Sequence, residues 1–198
     1  MSETTAQPND RDERGGLPSA SGMYRVRHCP GSVRAEASVP KGIDGSADAD
    51  EGTARHSLIE IGADSDSIDD SNTAYTVEQA RRNELEAIRR IGYEGLEPTL
   101  TLREKRLWVY DSDLRPRTSA RLDLAFIWAD VGLIVDHKTL FGDHGHAKDN
   151  EQLLTQVVAL VQEHGLSTVY VALSQPNIEK ERRLTMAEYS ANDIMVGY

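Results

Sequence analysis

Residues 120–139 read ARLDLAFIWADVGLIVDHKT, and few folds can absorb such a stretch. Two apolar runs, residues 122–128 and 133–135, flank Asp130-Val131-Gly132, the pattern of two strands folded back through a tight turn. Asp123, Asp136 and Lys138 interrupt those runs where a buried strand would carry Val or Ile. Side chains alternate faces along a strand, so Asp136 and Lys138 point the same way, roughly 6 to 7 Å apart. With Asp123 across from them, two carboxylates and an ammonium converge. Carboxylates a few ångströms apart repel by several kcal/mol at an effective dielectric of about 20, and a divalent cation between them relieves the repulsion. Oxygen-rich ligation selects Mg²⁺ or Mn²⁺. A neighbouring lysine can orient or help deprotonate a water. The outline is that of a metal-dependent phosphodiester-hydrolysing site.

The bulk properties set limits around this stretch. A chain of 198 residues suits one domain with a substantial core. No apolar run approaches the roughly 18 residues of a membrane helix, so no membrane partner is expected. The opening MSETTAQPND lacks the layout of a secretory signal. A lone cysteine, Cys29, excludes an internal disulfide and is expected as a buried small thiol. The expected compartment is the cytoplasm. A net charge of −11 argues against a protein that coats nucleic acid nonspecifically. It leaves room for a nucleic-acid enzyme that uses a cation in an acidic cleft beside a local basic strip.

Taken in order, residues 1–17 read as a disordered polar tail and residues 18–198 as a single domain. A short helix is expected over 19–29, then a loop over 40–50. Residues 51–64 carry a helical stripe of Leu58, Ile59 and Ile61, with His56 and Glu60 four apart on one face. On spacing alone that pair also reads as a surface ion pair. The acidic 64–70 stretch lacks the Gly and Glu of a calcium loop. Thr76 and Gln79 form a capping box opening a helix that Gly92 ends. A long strand follows over 99–110, then a polar turn over 115–118. After a loop holding His144 and His146, residues 150–163 form a helix with Leu153, Leu154, Val157, Val158 and Val161 inward and Gly165 as its stop. A buried strand over 168–173, an edge strand over 182–189 and a helix capped by Ser190 complete the chain. The predicted fold class is α/β, a mixed central β-sheet flanked by helices. No Gly-rich phosphate loop is present.

Four features occur in a telling order: Gly52-x-x-x-His56 on a helix, Asp123 in mid-strand, Asp136-His137-Lys138 after a hairpin, and Asn150-Glu151-Gln152-Leu153 opening a helix. With LPSASGMYRVRHCPGS and EGTARH upstream and SQPN after the last core strand, residues 17–198 resemble the RecB-like branch of the PD-(D/E)XK nuclease superfamily, which includes CRISPR-associated RecB-type exonucleases and phage proteins. The resemblance implies a restriction-endonuclease-like core. It implies His56, Asp123 and Asp136 as metal ligands, joined by the backbone carbonyl of His137. Lys138 would serve the water, and Gln152 would contact substrate. The implied activity is that of a DNA nuclease, an exonuclease, acting in phage or mobile-element recombination or end processing in a bacterial host cytoplasm. The implied partners are DNA and a single-strand annealing or other recombination protein.

The chain also departs from that pattern. Gln156 stands where the motif after Gln152 usually has Tyr, and Ala120 where Gly is frequent. Gln152 reads equally as a capping partner of Asp149. Cys29 alone cannot supply the four cysteines of the iron–sulfur cluster found in many relatives, so no iron–sulfur cluster is expected. Glu104 and Glu60 are candidate additional acids, Glu104 reading as well as a solvent-facing strand residue. Arg103, Lys105, Arg106, Arg117 and Arg121, with Arg115, form the densest basic stretch and are the candidates for DNA backbone contact. The competing reading is a catalytically inactive nuclease-fold protein acting as an acidic protein-binding module. The His-Asp-Asp-Lys set favours the enzyme; Gln156 and the charge of −11 favour the module.

Overall fold

The two apolar runs pair as antiparallel strands, β2 (Pro116–Trp128) and β3 (Val131–His137), in the computed structural model, which describes residues 14–38, 47–140, 142–190, 192 and 194. On one side β1 (Leu100–Tyr110) pairs antiparallel with β2. On the other, β4 (Thr168–Ser174) runs parallel to β3, and β5 (Leu184–Ser190) closes the edge antiparallel to β4. The strands lie in sequence order, a mixed sheet. The parallel step needs a crossover, and α5 (Glu151–His164) provides it. Ahead of the sheet come α1 (Met23–His28), α2 (Ser32–Ser38), α3 (Ala47–Glu60) and α4 (Ser71–Arg90). The fold is the expected α/β class, a mixed sheet with flanking helices. Among the described residues, no helix is long and apolar enough to cross a membrane.

Alternation along β3 assigns its two faces. Ile134 joins Leu153, Val157 and Leu160 of α5 in one core, while Leu133 and Val135 join Ala87 and Ile88 of α4 in the other. By the same alternation Asp136 faces α5 and His137 faces α4. Alternation breaks in β1 and β2 at the same level. On the α5 side β2 presents Leu122 and then Ala125, and β1 presents Leu102 and then Leu107. The pairing register nevertheless runs through unchanged, with Arg103 opposite Leu124 and Lys105 opposite Leu122. Glu104, at φ 46°, and Asp123 are the two residues between, so both strands kink together and leave two acids facing each other.

Several local expectations are corrected. The turn is Ala129-Asp130, with Ala129 at φ 50°, and Gly132 lies inside β3. A Cβ on Gly132 would stand 2.8 Å from Leu166 Cδ1, so close packing under α5 explains that glycine. Helix α4 starts five residues before Thr76, because the Asp70 carboxylate accepts from Thr73 N at 2.8 Å. Thr76 sits within the helix and donates to Asn177 Oδ1 at 2.9 Å, and Gln79 donates to Asn83 rather than capping. Residues 47–50 belong to α3, Ile61 beyond its end is 74 % exposed, and residues 116–118 belong to β2. Cys29 caps the C-terminus of α1 and is exposed, since no core lies beneath it. The expected tail lies outside the described residues up to residue 13, as do the loop over 40–46 and most of the last helix.

Candidate active site

His56 and Glu60 sit one turn apart on α3, which Gly52 lets close onto Leu140, just past the end of β3: a Cβ there would lie 3.3 Å from Leu140 Cγ. The buried Arg55 fixes the helix by donating to Thr139 O at 3.1 Å, a carbonyl that also accepts from Asn177 Nδ2 at 2.6 Å. His56 thereby faces the kink of β1 and β2. One ligand atom each of His56, Glu104 and Asp123 lies within 4.8 Å of the others. They line a cavity of about 330 Å³, with Glu60, Arg121, Lys138 and His144 around its wall.

Asp123 does not continue the ladder with its backbone. Its Oδ2 accepts the His137 N–H at 2.8 Å and stands 3.7 Å from His56 Nδ1. Burial, then the Asp136 charge nearby, push the Asp123 carboxyl up to about 7. Burial also raises Glu104, against the pull of Arg121, whose Nε lies 2.6 Å from Glu104 Oε2. For His56, burial and then the neighbouring His137 lower the imidazole to about 4, so its ring is neutral near pH 7 and keeps a lone pair for a ligand. The His137 backbone lies near that ring and pulls weakly the other way. Two crowded carboxylates that resist ionising together with a neutral imidazole form a donor set suited to a divalent cation.

Asp136 belongs to a second cluster. It is fully buried, and its Oδ2 lies 2.6 Å from Lys138 Nζ, while Oδ1 accepts from Gln152 Nε2 at 2.6 Å. Lys138 Nζ donates in turn to Gln152 Oε1 at 3.1 Å, closing a three-membered ring of contacts. Gln156 Nε2 adds a longer contact to Asp136 Oδ1 at 3.4 Å and donates to Arg121 O at 2.9 Å. Burial opposes the charge on Lys138, but the Asp136 carboxylate outweighs it and holds the ammonium above its usual range. Lys138 is therefore a fixed positive charge, poised to orient a water or a phosphoryl oxygen.

The structure thus divides the sequence-derived residues. It brings His56, Asp123 and Glu104 together and sets Asp136 with Lys138 and Gln152 alongside. The α5 cap is Asn150, whose side chain accepts from Leu153 N at 3.0 Å, leaving Gln152 to the site. Glu60 is exposed on the cavity wall. Of the basic strip, Arg121 lines the cavity and Arg103 lies beside the acids, while Arg117 pairs with Asp111 at 2.7 Å and Arg106 donates to Ser119 at 3.0 Å. Lys105 is exposed on β1.

Sequence reading missed the other face of β3. There the buried His137 ring meets Glu84 of α4, Nε2 to Oε1 at 3.1 Å. Only the alternation that points Asp136 one way and His137 the other hinted at such a partner. It also missed the Gln175 clamp, which accepts His144 N at 2.7 Å and holds the 142–147 loop at the cavity mouth.

Fold and site together define an α/β protein with an acid-and-imidazole cavity at a sheet kink. A family model described as protein of unknown function (DUF2800) matches residues 16–120, more than half of the chain, and the chain belongs to that family. The match includes His56 and Glu104 and ends before Asp123. Among solved structures, a phage related exonuclease from Haemophilus somnus 129PT is similar at 12 % identity and a TM-score of 0.37, over 91 % of this chain and 87 % of that one. No curated protein matches.

Proposed function

We propose that this protein is a divalent-metal-dependent DNA nuclease, an exonuclease of RecB-like type that hydrolyses phosphodiester bonds in phage or mobile-element recombination or end processing. The observation that carries this reading is the convergence of His56, Glu104 and Asp123 within 4.8 Å beside the ion pair of the half-buried Lys138 with the buried Asp136. The donor set fits Mg²⁺ or Mn²⁺, the imidazole tilting preference to Mn²⁺. His56, Glu104 and Asp123 would hold the ion, with Asp136 and the His137 carbonyl next to them. Once bound, such an ion neutralises charge on a phosphoryl oxygen and on the leaving oxygen.

The chain's own residues do the rest. Lys138 presents its ammonium to the cavity, and Asp136 and Gln152 fix its direction, so that an attacking water or a phosphoryl oxygen meets a positioned donor. Arg121 and Arg103 flank the acids and supply phosphate contacts for DNA, and a single-strand annealing or other recombination protein is the expected protein partner. Calorimetry with Mn²⁺ tests the ligand set. His56→Ala, Glu104→Gln and Asp123→Asn should each weaken binding at least tenfold. Wild-type affinity in all three would remove the basis of the reading.

A further inference from the structure

The cavity continues past Lys138. A second cavity of about 260 Å³ shares Lys138 and His144 with the first and runs between α1 and the start of α5. Its volume falls just below the roughly 300 Å³ at which small-molecule sites begin, which suits one nucleotide rather than several. On one wall stands Tyr24, 65 % exposed, with Ser21; on the other stand Asp149, Asn150 and Gln152.

Tyr24 leaves its ring open on the cavity wall. Its ring lies against the His28 ring at 4.3 Å between centroids and 34° between planes, and His28 Nδ1 is hydrogen-bonded to Tyr24 O at 2.7 Å. A ring already held by its neighbour loses little freedom when a ligand stacks on it. The opposite wall is wrong for a phosphate, because the Asp149 carboxylate would repel one. Arg27, reaching across from α1, engages Glu151 at 2.8 Å and ties the two walls together. The Asp149 carboxylate and the Ser21 hydroxyl, beside an aromatic plane, suit a nucleobase with an exocyclic amino group.

We propose that this second cavity takes the base of the nucleotide next to the scissile phosphate, stacked on Tyr24, with the phosphate over Lys138. This rests on the nuclease reading and names its substrate class. A base seated between α1 and α5 cannot be paired, so the strand entering the site is single-stranded or a frayed duplex end.

The test uses a short single-stranded oligonucleotide carrying a fluorescent adenine analogue at one position, bound to the whole protein in EDTA so that nothing is cut. Stacking on Tyr24 should quench the analogue. Tyr24→Ala should abolish the quench and weaken binding about five- to hundredfold, the scale of one base–aromatic stack. Tyr24→Phe should keep both, and an unchanged melting temperature shows that each variant folds. In Mn²⁺, single-turnover cutting should be faster on single strands than on blunt duplex, and Tyr24→Ala should shrink that preference. Wild-type quench and affinity in Tyr24→Ala would overturn the base site even if the protein cuts DNA. So would equal cutting of single strands and blunt duplex. A Tyr24-dependent quench in a wild-type protein that cuts nothing would support the base site and overturn the nuclease reading instead.

Discussion

Asp123 carries the sharpest consequence at the scale of a single residue. Its carboxyl has an ordinary value of 3.8 and is pushed up to about 7 in the fold by burial and then by the Asp136 charge. The folded state therefore prefers the proton. That stabilising preference is fully present below about pH 4 and is lost as pH rises through about 7. In metal-free buffer Asp123→Asn, which mimics the protonated group, should gain stability relative to wild type as pH goes from 4 to 8. Urea melts at the two pH values measure the difference, and a gap that does not move with pH would show that Asp123 ionises normally. With Mn²⁺ present the order should reverse, because the carboxylate is then wanted as a ligand. The chemical types of the site residues were legible in the sequence: His56, Asp123, Asp136, Lys138 and Gln152 all reach one region. Their grouping was not. Spacing puts Asp136 and Lys138 on one side of a strand, but it cannot reveal that Asp136 contacts Lys138 and Gln152 or that Glu104 lies beside His56. That exchange depends on a kink shared by two strands distant in sequence.

At the scale of elements, periodicity located the strands and α5 well, because each buries a face large enough to impose its pattern on the sequence. It failed at ends, where one hydrogen bond decides. Asp70 starts α4 ahead of Thr76, and α3 begins in the polar ADAD segment that carries no stripe at all. The β2–β3 turn gives a paired prediction. Gly132 read as a turn residue, yet it packs under Leu166 and Leu160, with a Cβ falling 2.8 and 3.2 Å from them. Gly132→Ala should cost about 1 to 3 kcal/mol through overpacking. Ala129→Gly, which relieves a left-handed Ala at φ 50°, should instead stabilise by up to about 1 kcal/mol. Denaturant melts of both variants check this. A neutral Gly132→Ala would return that glycine to the turn.

At the scale of the whole molecule, the site exists only where α3, the β1–β2 kink, the end of β3 and the start of α5 meet. Thr139 O, bonded by both Arg55 and Asn177, pins three of the surrounding segments at one atom. Arg55→Ala touches none of the proposed ligands, yet it should weaken Mn²⁺ binding by releasing α3; unchanged affinity would show that α3 is held in other ways. The net charge of −11 is tolerable for a DNA enzyme if cations stand where phosphates would come, and Lys138, Arg121 and Arg103 border the acidic cavity. We expect this assembly to cut DNA, and single-turnover digestion of end-labelled linear DNA, with wild type beside Lys138→Ala, measures it. Wild type should cut in Mn²⁺ or Mg²⁺ and stop in EDTA. Lys138→Ala should fold and bind DNA but cut more slowly by roughly 10² or more, the scale of losing one positioned donor to charge that develops in the transition state. A wild-type protein that leaves linear DNA whole at every metal concentration, beside a Lys138→Ala variant that unfolds, would contradict that expectation and make the Lys138–Asp136 pair a structural one.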